Sequence, residues 1–135
     1  MNFMEMTYDQ QNSLIAQLIN SMSQPDHGDQ YIAAHPELKN REVINWLLQQ
    51  ATMYRDHYRL LTKGPSTLPD AERIKLANDK IRLATNMAGA AWSLGGDIGD
   101  KTLGARAIDF IIVTSEEIGD NATAQQWRVI AAMIL

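Results

Sequence analysis

The sequence predicts an all-α fold, on three observations. Apolar residues recur at three- and four-residue spacing along nearly the whole chain. Capping residues stand ahead of those periodic stretches, and glycine, proline or Gly-Asp pairs stand after them. No stretch alternates apolar and polar residues in the manner of a half-buried strand. A chain of 135 residues is near the commonest size for one domain, so one hydrophobic core is expected. The expected organisation is a single all-helical domain over 1–135, built of antiparallel helical hairpins. Residues 1–62 form an N-terminal helical part, 63–69 a linker, and 70–135 a second set of helices.

The elements follow in order. Thr7 with Gln10 three residues on has the form of a capping box, and Leu14, Ile15, Leu18, Ile19 and Met22 follow at helical spacing. "SQPDHGD" at 23–29 is expected to break that helix, because proline and glycine both oppose its continuation. A short helical turn, "QYIAAH", then stops at Pro36. Asn40 can cap a longer helix carrying Ile44, Leu47, Leu48, Ala51, Tyr54, Tyr58 and Leu61, which "KGPSTLP" ends. Asp70 is expected to cap the next helix, where Ile74, Ala77, Ile81, Ala84, Ala88 and Ala91 form one apolar stripe. Its small alanines allow a neighbouring helix to approach closely.

"AIDFIIVT", at 107–114, is rich in β-branched residues and has the composition of a buried strand. Leu103, Ala107, Phe110, Ile111, Thr114 and Ile118 nevertheless keep helical spacing, with Ile108 and Ile112 as a second apolar line, and a helix covered on two sides is expected. Gly119-Asp120 stops it, and "NATAQQWRVIAAMIL" begins a last helix. That helix carries Ala124, Trp127, Ile130, Ala131, Ile134 and Leu135, an apolar face with no following helix to cover it. Either a second copy packs there as a homodimer, or the next helix belongs to a longer chain, or the N-terminal helix folds back over it.

Composition narrows the function. The absence of cysteine excludes disulfides, thiolate metal sites and cysteine nucleophiles, and fits a cytoplasmic protein. No apolar run is long enough to span a membrane. Net charge is −4, yet residues 39–82 hold nine of the twelve Lys and Arg against five acids. Those charges are spread over two helices and mixed with acids, so they read as solvated helix faces rather than a nucleic-acid surface.

"GGDIGDKT", at 95–102, is one substitution from a phosphate-binding loop, with Asp100 where glycine belongs. Such a loop needs a strand before it, and its backbone N–H groups must face the phosphates. Here a helix precedes it, and the carboxylate of Asp100 beside Lys101 opposes phosphate. The stretch therefore reads as a turn, with glycine closing one helix and Asp100 capping the next. His27, His35 and His57 lack metal-ligand spacing, no calcium loop is present, and no metal site or cofactor is expected. Glu116 and Glu117 are adjacent, hence on different helix faces, and no catalytic constellation appears.

The spacing of "MAGAAWSLGGD", a helix, "EEIGD" and another helix resembles tetratricopeptide repeats. Gly89 matches the family's small position, Trp92 its aromatic, and Gly96-Asp97 or Gly99-Asp100 its turn. Gly104 or Ala107 matches the small residue opening the second helix. "QYIAAHPELKNREVINWLLQQA" resembles a helical leader found ahead of such repeats in large bacterial, often cyanobacterial, multidomain proteins. There a "hPEL" tetrapeptide separates two helices, as His35-Pro36-Glu37-Leu38 does here. Together the resemblances cover roughly residues 10–62 and 85–135.

They imply a short right-handed α-solenoid behind a helical leader, acting as a non-catalytic scaffold for a protein or peptide partner. Trp92 is then expected in the core, against the next helix. Lys75, Asn78, Arg82 and Asn86 form a polar stripe that in this family faces the binding groove, and they are the expected partner-binding residues. The alternatives are a small-molecule or nucleotide-binding helical domain, or a regulatory module of a larger signalling protein.

Overall fold

A computed structural model of the chain describes residues 3–22, 27–64 and 67–134. Six α-helices account for most of them: α1 (Tyr8–Ser21), α2 (His27–Ala34), α3 (Arg41–Lys63), α4 (Asp70–Asp97), α5 (Lys101–Glu117) and α6 (Asn121–Ile134). Two short 3-10 turns, Phe3–Glu5 and Pro36–Leu38, complete the order, and no strand occurs among the described residues. The β-branched stretch at 107–114 is therefore helical. Ala107, Ile108, Phe110, Ile111 and Thr114 are all buried there, so burial on two sides selected bulky apolar residues without a sheet.

The local codes act where the sequence places them. Thr7 Oγ1 accepts from Gln10 N–H at 3.2 Å while Gln10 Oε1 accepts from Thr7 N–H at 3.0 Å, a reciprocal capping box. Asn40 Oδ1 accepts from the backbone of Glu42 and Val43 at 2.7 and 3.2 Å. Pro36–Leu38 turns the chain between α2 and α3 and drives Leu38 wholly out of solvent.

Three expectations are corrected. Residues 23–26 of the expected break lie outside the described residues, but its last three, His27 to Asp29, already belong to α2. Asp70 is not the cap of α4: Pro69 holds the N-cap position without a side-chain bond, and Asp70 is the first helical residue. Proline fixes its own φ near the value that leads into a helix, which moves the boundary back by one. Ile74 leaves the apolar stripe and is 52% exposed, because the stripe is covered only from Ala77 onward.

One core cluster joins the helices. Leu14, Ile15, Leu18 and Ile19 of α1, Val43, Ile44, Leu47, Leu48 and Ala51 of α3, and Ile81, Ala84, Ala88, Ala91 and Leu94 of α4 belong to it. α5 adds Leu103, Ala107, Phe110 and Ile111. Each helix from α3 to α6 packs most closely against its neighbours in the chain, and α1 packs against α2 and α4 rather than over α6. Met22 lies against Gly28 of α2, where a Cβ would meet its sulfur, and its methyl end reaches Gly89 of α4 at ordinary contact distance, so nothing there requires Gly89 to be small. The close α4–α5 contact belongs instead to Gly95, where a Cβ would stand 3.2 Å from Gly104 N.

Candidate functional site

The four residues predicted to bind a partner lie along one face of α4. Lys75, Asn78 and Arg82 are exposed and Asn86 is half-buried. Their spacing of three, four and four residues keeps them in line, beside the buried Ala77, Ile81 and Ala84. Arg82 turns part of its charge inward to its own helix, 3.2 Å from Asp79. The α4 face thus presents a lysine with no ion-pair partner among the described residues, two amides and a partly neutralised arginine.

The "GGDIGDKT" stretch forms the α4–α5 turn. Gly96 and Asp97 remain in α4, and Gly99 (φ +71°) is the residue that reverses the chain. Its N–H donates to Gly96 O at 3.2 Å and that of Asp100 to Gly95 O at 2.9 Å, which satisfies the last carbonyls of α4. Asp100 then caps α5 by accepting from Leu103 N–H at 3.1 Å, and its other oxygen meets Arg41 Nε at 2.9 Å. Ile118-Gly119-Asp120 repeats the device: Gly119 has φ +83°, Asp120 N–H reaches Ser115 O at 2.8 Å, and its carboxylate accepts from Thr123 N–H at 3.1 Å. The Thr123 hydroxyl adds a 2.7 Å bond, and it holds the Asp120 carboxyl below its ordinary pKa, with the Thr123 backbone as second cause.

A cavity of about 490 Å³ opens over the first turn, lined by Trp92, Gly95, Gly96, Lys101 and the carboxylates of Asp29, Asp97 and Asp100. Three acids against one lysine repel a phosphate group, and the capping carboxylate takes up a backbone N–H at the start of α5. Trp92 lies at its edge, half-buried, with its ring edge-on to Trp127 of α6 at 5.1 Å. The expected place for Trp92 is the core, against the next helix; its ring instead meets α6, two helices on, and it is half-buried at the edge of the core.

The α3–α5 seam is the site that sequence reading missed. Arg59 grips Glu117 with three bonds of 2.7, 2.9 and 3.1 Å. The hydrogen bonds to Arg59 hold the Glu117 carboxyl below its ordinary range, and the reciprocal bonds raise the guanidinium. Glu116 pairs with Arg128 of α6 instead, so the adjacent glutamates brace α5 to two different helices. One turn back along α3, Arg55 lies 4.7 Å above the Phe110 ring. Leu48, Thr52, Arg106, Asp109 and Val113 complete an open groove of about 300 Å³.

No sequence motif marks that groove, since its residues come from helices more than forty positions apart. The only local sign is the apolar Phe110 one residue after Asp109, on a helix otherwise patterned for burial. Among the described residues, no group of three His, Asp or Glu side chains could hold a metal ion. No helix there is long and apolar enough to cross a membrane. No family model, curated protein or solved structure matches this chain.

Proposed function

We propose that the chain is a non-catalytic helical scaffold that binds a protein or peptide partner. The consecutive helices from α4 to α6 read as a short right-handed α-solenoid of tetratricopeptide type, behind a leader formed by α1 to α3. One observation carries the proposal. Among the described side chains of α6 only Ala124 is fully buried, while Val129 and Met133 are 51% and 78% exposed and Ile130 and Ala131 are half-covered. Apolar groups displayed in a row along one helix are the mark of a surface that another protein covers. The polar stripe of Lys75, Asn78, Arg82 and Asn86 on α4 is the proposed partner-binding face, and α6 is the proposed seat of a second copy.

Two measurements test this. Sedimentation of the protein over a wide concentration range should show a reversible dimer that Ile130→Asp abolishes without changing the helical circular-dichroism signal. Capture from a cell extract should yield a partner whose retention falls when Lys75 and Arg82 are both reversed to glutamate. A monomer at all concentrations, together with capture indifferent to the reversal, would sink the scaffold reading.

A further inference from the structure

We propose that the groove between α3 and α5 binds a small organic carboxylate, with the anion on Arg55 and Arg106 and its apolar body against Phe110 and Val113. The chain has seven arginines. Five of them, Arg41, Arg59, Arg73, Arg82 and Arg128, stand within salt-bridge distance of a carboxylate. Arg55 and Arg106 have no such partner among the described residues, and both line this one groove.

Arg55 is the more constrained of the two. Its guanidinium is stacked on Phe110, and its Nε is buried with no hydrogen-bond partner. A buried guanidinium N–H normally has an acceptor, and the neighbouring Arg59 shows what satisfaction looks like on the same helix. Glu117 feels Arg55 only at longer range than a salt bridge, since its oxygens are taken by Arg59. The Arg59–Glu117 pair thus leaves the Arg55 charge without a carboxylate partner, and a groove anion would meet its guanidinium end.

The groove also specifies the ligand. Two arginines and Asp109 leave it with one net positive charge, which suits a monoanion better than a phosphate dianion. A planar carboxylate matches the fork of a guanidinium, and stacking on Phe110 holds that fork in one orientation. Leu48, Phe110 and the half-exposed Val113 supply an apolar wall beside the charge. About 300 Å³ is at the small end of ligand pockets, so the body is the size of one aromatic ring or a short branched chain. The inference does not depend on the scaffold reading, because it concerns a different face of the molecule.

Titration of the full chain with 3-phenylpropionate, followed by the arginine Nε–H resonances and by calorimetry, tests it. The Arg55 and Arg106 signals should move together and saturate, and 3-phenylpropionamide should leave them in place. Arg106→Gln, at an exposed position, should weaken binding by about tenfold or more, the scale of one lost hydrogen bond to a charged group. Arg55→Gln should do the same, with thermal melting run alongside to confirm that it folds. Equal binding of the amide, no movement up to the solubility limit, or binding unchanged in both variants overturns the assignment. Tighter binding of phenyl phosphate, or an equal response to inorganic phosphate alone, also overturns it, by making the groove a phosphate or general counter-ion site.

Discussion

The two Ile-Gly-Asp turns are the same structure placed before two different helices. Each closes a helix with a left-handed glycine, returns two backbone bonds to the preceding carbonyls, and starts the next helix with an aspartate cap. Yet α5 buries seven residues behind the first turn, and α6 buries only Ala124 among its described side chains. Turn chemistry sets the angle at which a helix leaves. Whether that helix is then covered depends on what else lies in its path, and α5 has α3, α4 and α6 around it where α6 has chiefly α5. Asp100 reflects this too, because Arg41 of α3 reaches it, while Asp120 is held by its own helix.

The contrast is sharpest at paired isoleucines. Ile108→Ala in α5 should cost about 2–5 kcal/mol, since a fully enclosed side chain leaves a cavity. Ile130→Ala in α6 should cost under about 1.5 kcal/mol in the monomer, where the side chain is only half-covered. Urea melts at low protein concentration measure both, and equal losses would mean that α6 is covered as well as α5.

The turns themselves should be alike. Gly99→Ala and Gly119→Ala each place a Cβ on a left-handed residue, at about 1–2 kcal/mol, and neither Cβ meets a neighbour within 4 Å. Unequal losses in the same urea melts would show that the tie between Arg41 and Asp100 makes the first turn stiffer.

The braces differ least in sequence and most in acid. The Glu117 pKa is depressed by Arg59 below its ordinary value of 4.5, so its contribution to stability is complete above that value. It is lost as pH falls through the depressed pKa. Stability measured from pH 6 down to pH 2 should decline on this account, and Glu117→Gln should flatten the decline while lowering the neutral plateau. Glu116→Gln removes an exposed pair with Arg128 and should change neutral stability by under about 0.5 kcal/mol.

The same division explains what could be read from the chain in advance. Caps, turns and the helical state of 107–114 depend on residues within four or five positions of one another, and Thr7, Asn40, Gly99 and Asp100 act as their sequence context requires. Asp70 misled because an adjacent proline competed for the same boundary. The α4 stripe could be placed on one face from spacing alone, though its first apolar member, Ile74, faces water because no helix reaches it. Arg55 and Phe110 could not be joined in advance. Their contact depends on α5 crossing α3 at a given height, which the core decides and no motif encodes. The same holds for Arg59 and Glu117, 58 residues apart.

The recurring turn has a consequence of parity. Residues 101–120 make up one helix plus one Ile-Gly-Asp reversal, and every such unit sends the chain back the way it came. Duplicating that unit once would leave α6 pointing in the opposite direction, with the order of its exposed Val129 and Met133 reversed. Duplicating it twice would restore the direction and place α6 farther from α4. The molecule can therefore be lengthened in even steps without altering how its last helix is presented, and only an odd step would turn that helix around.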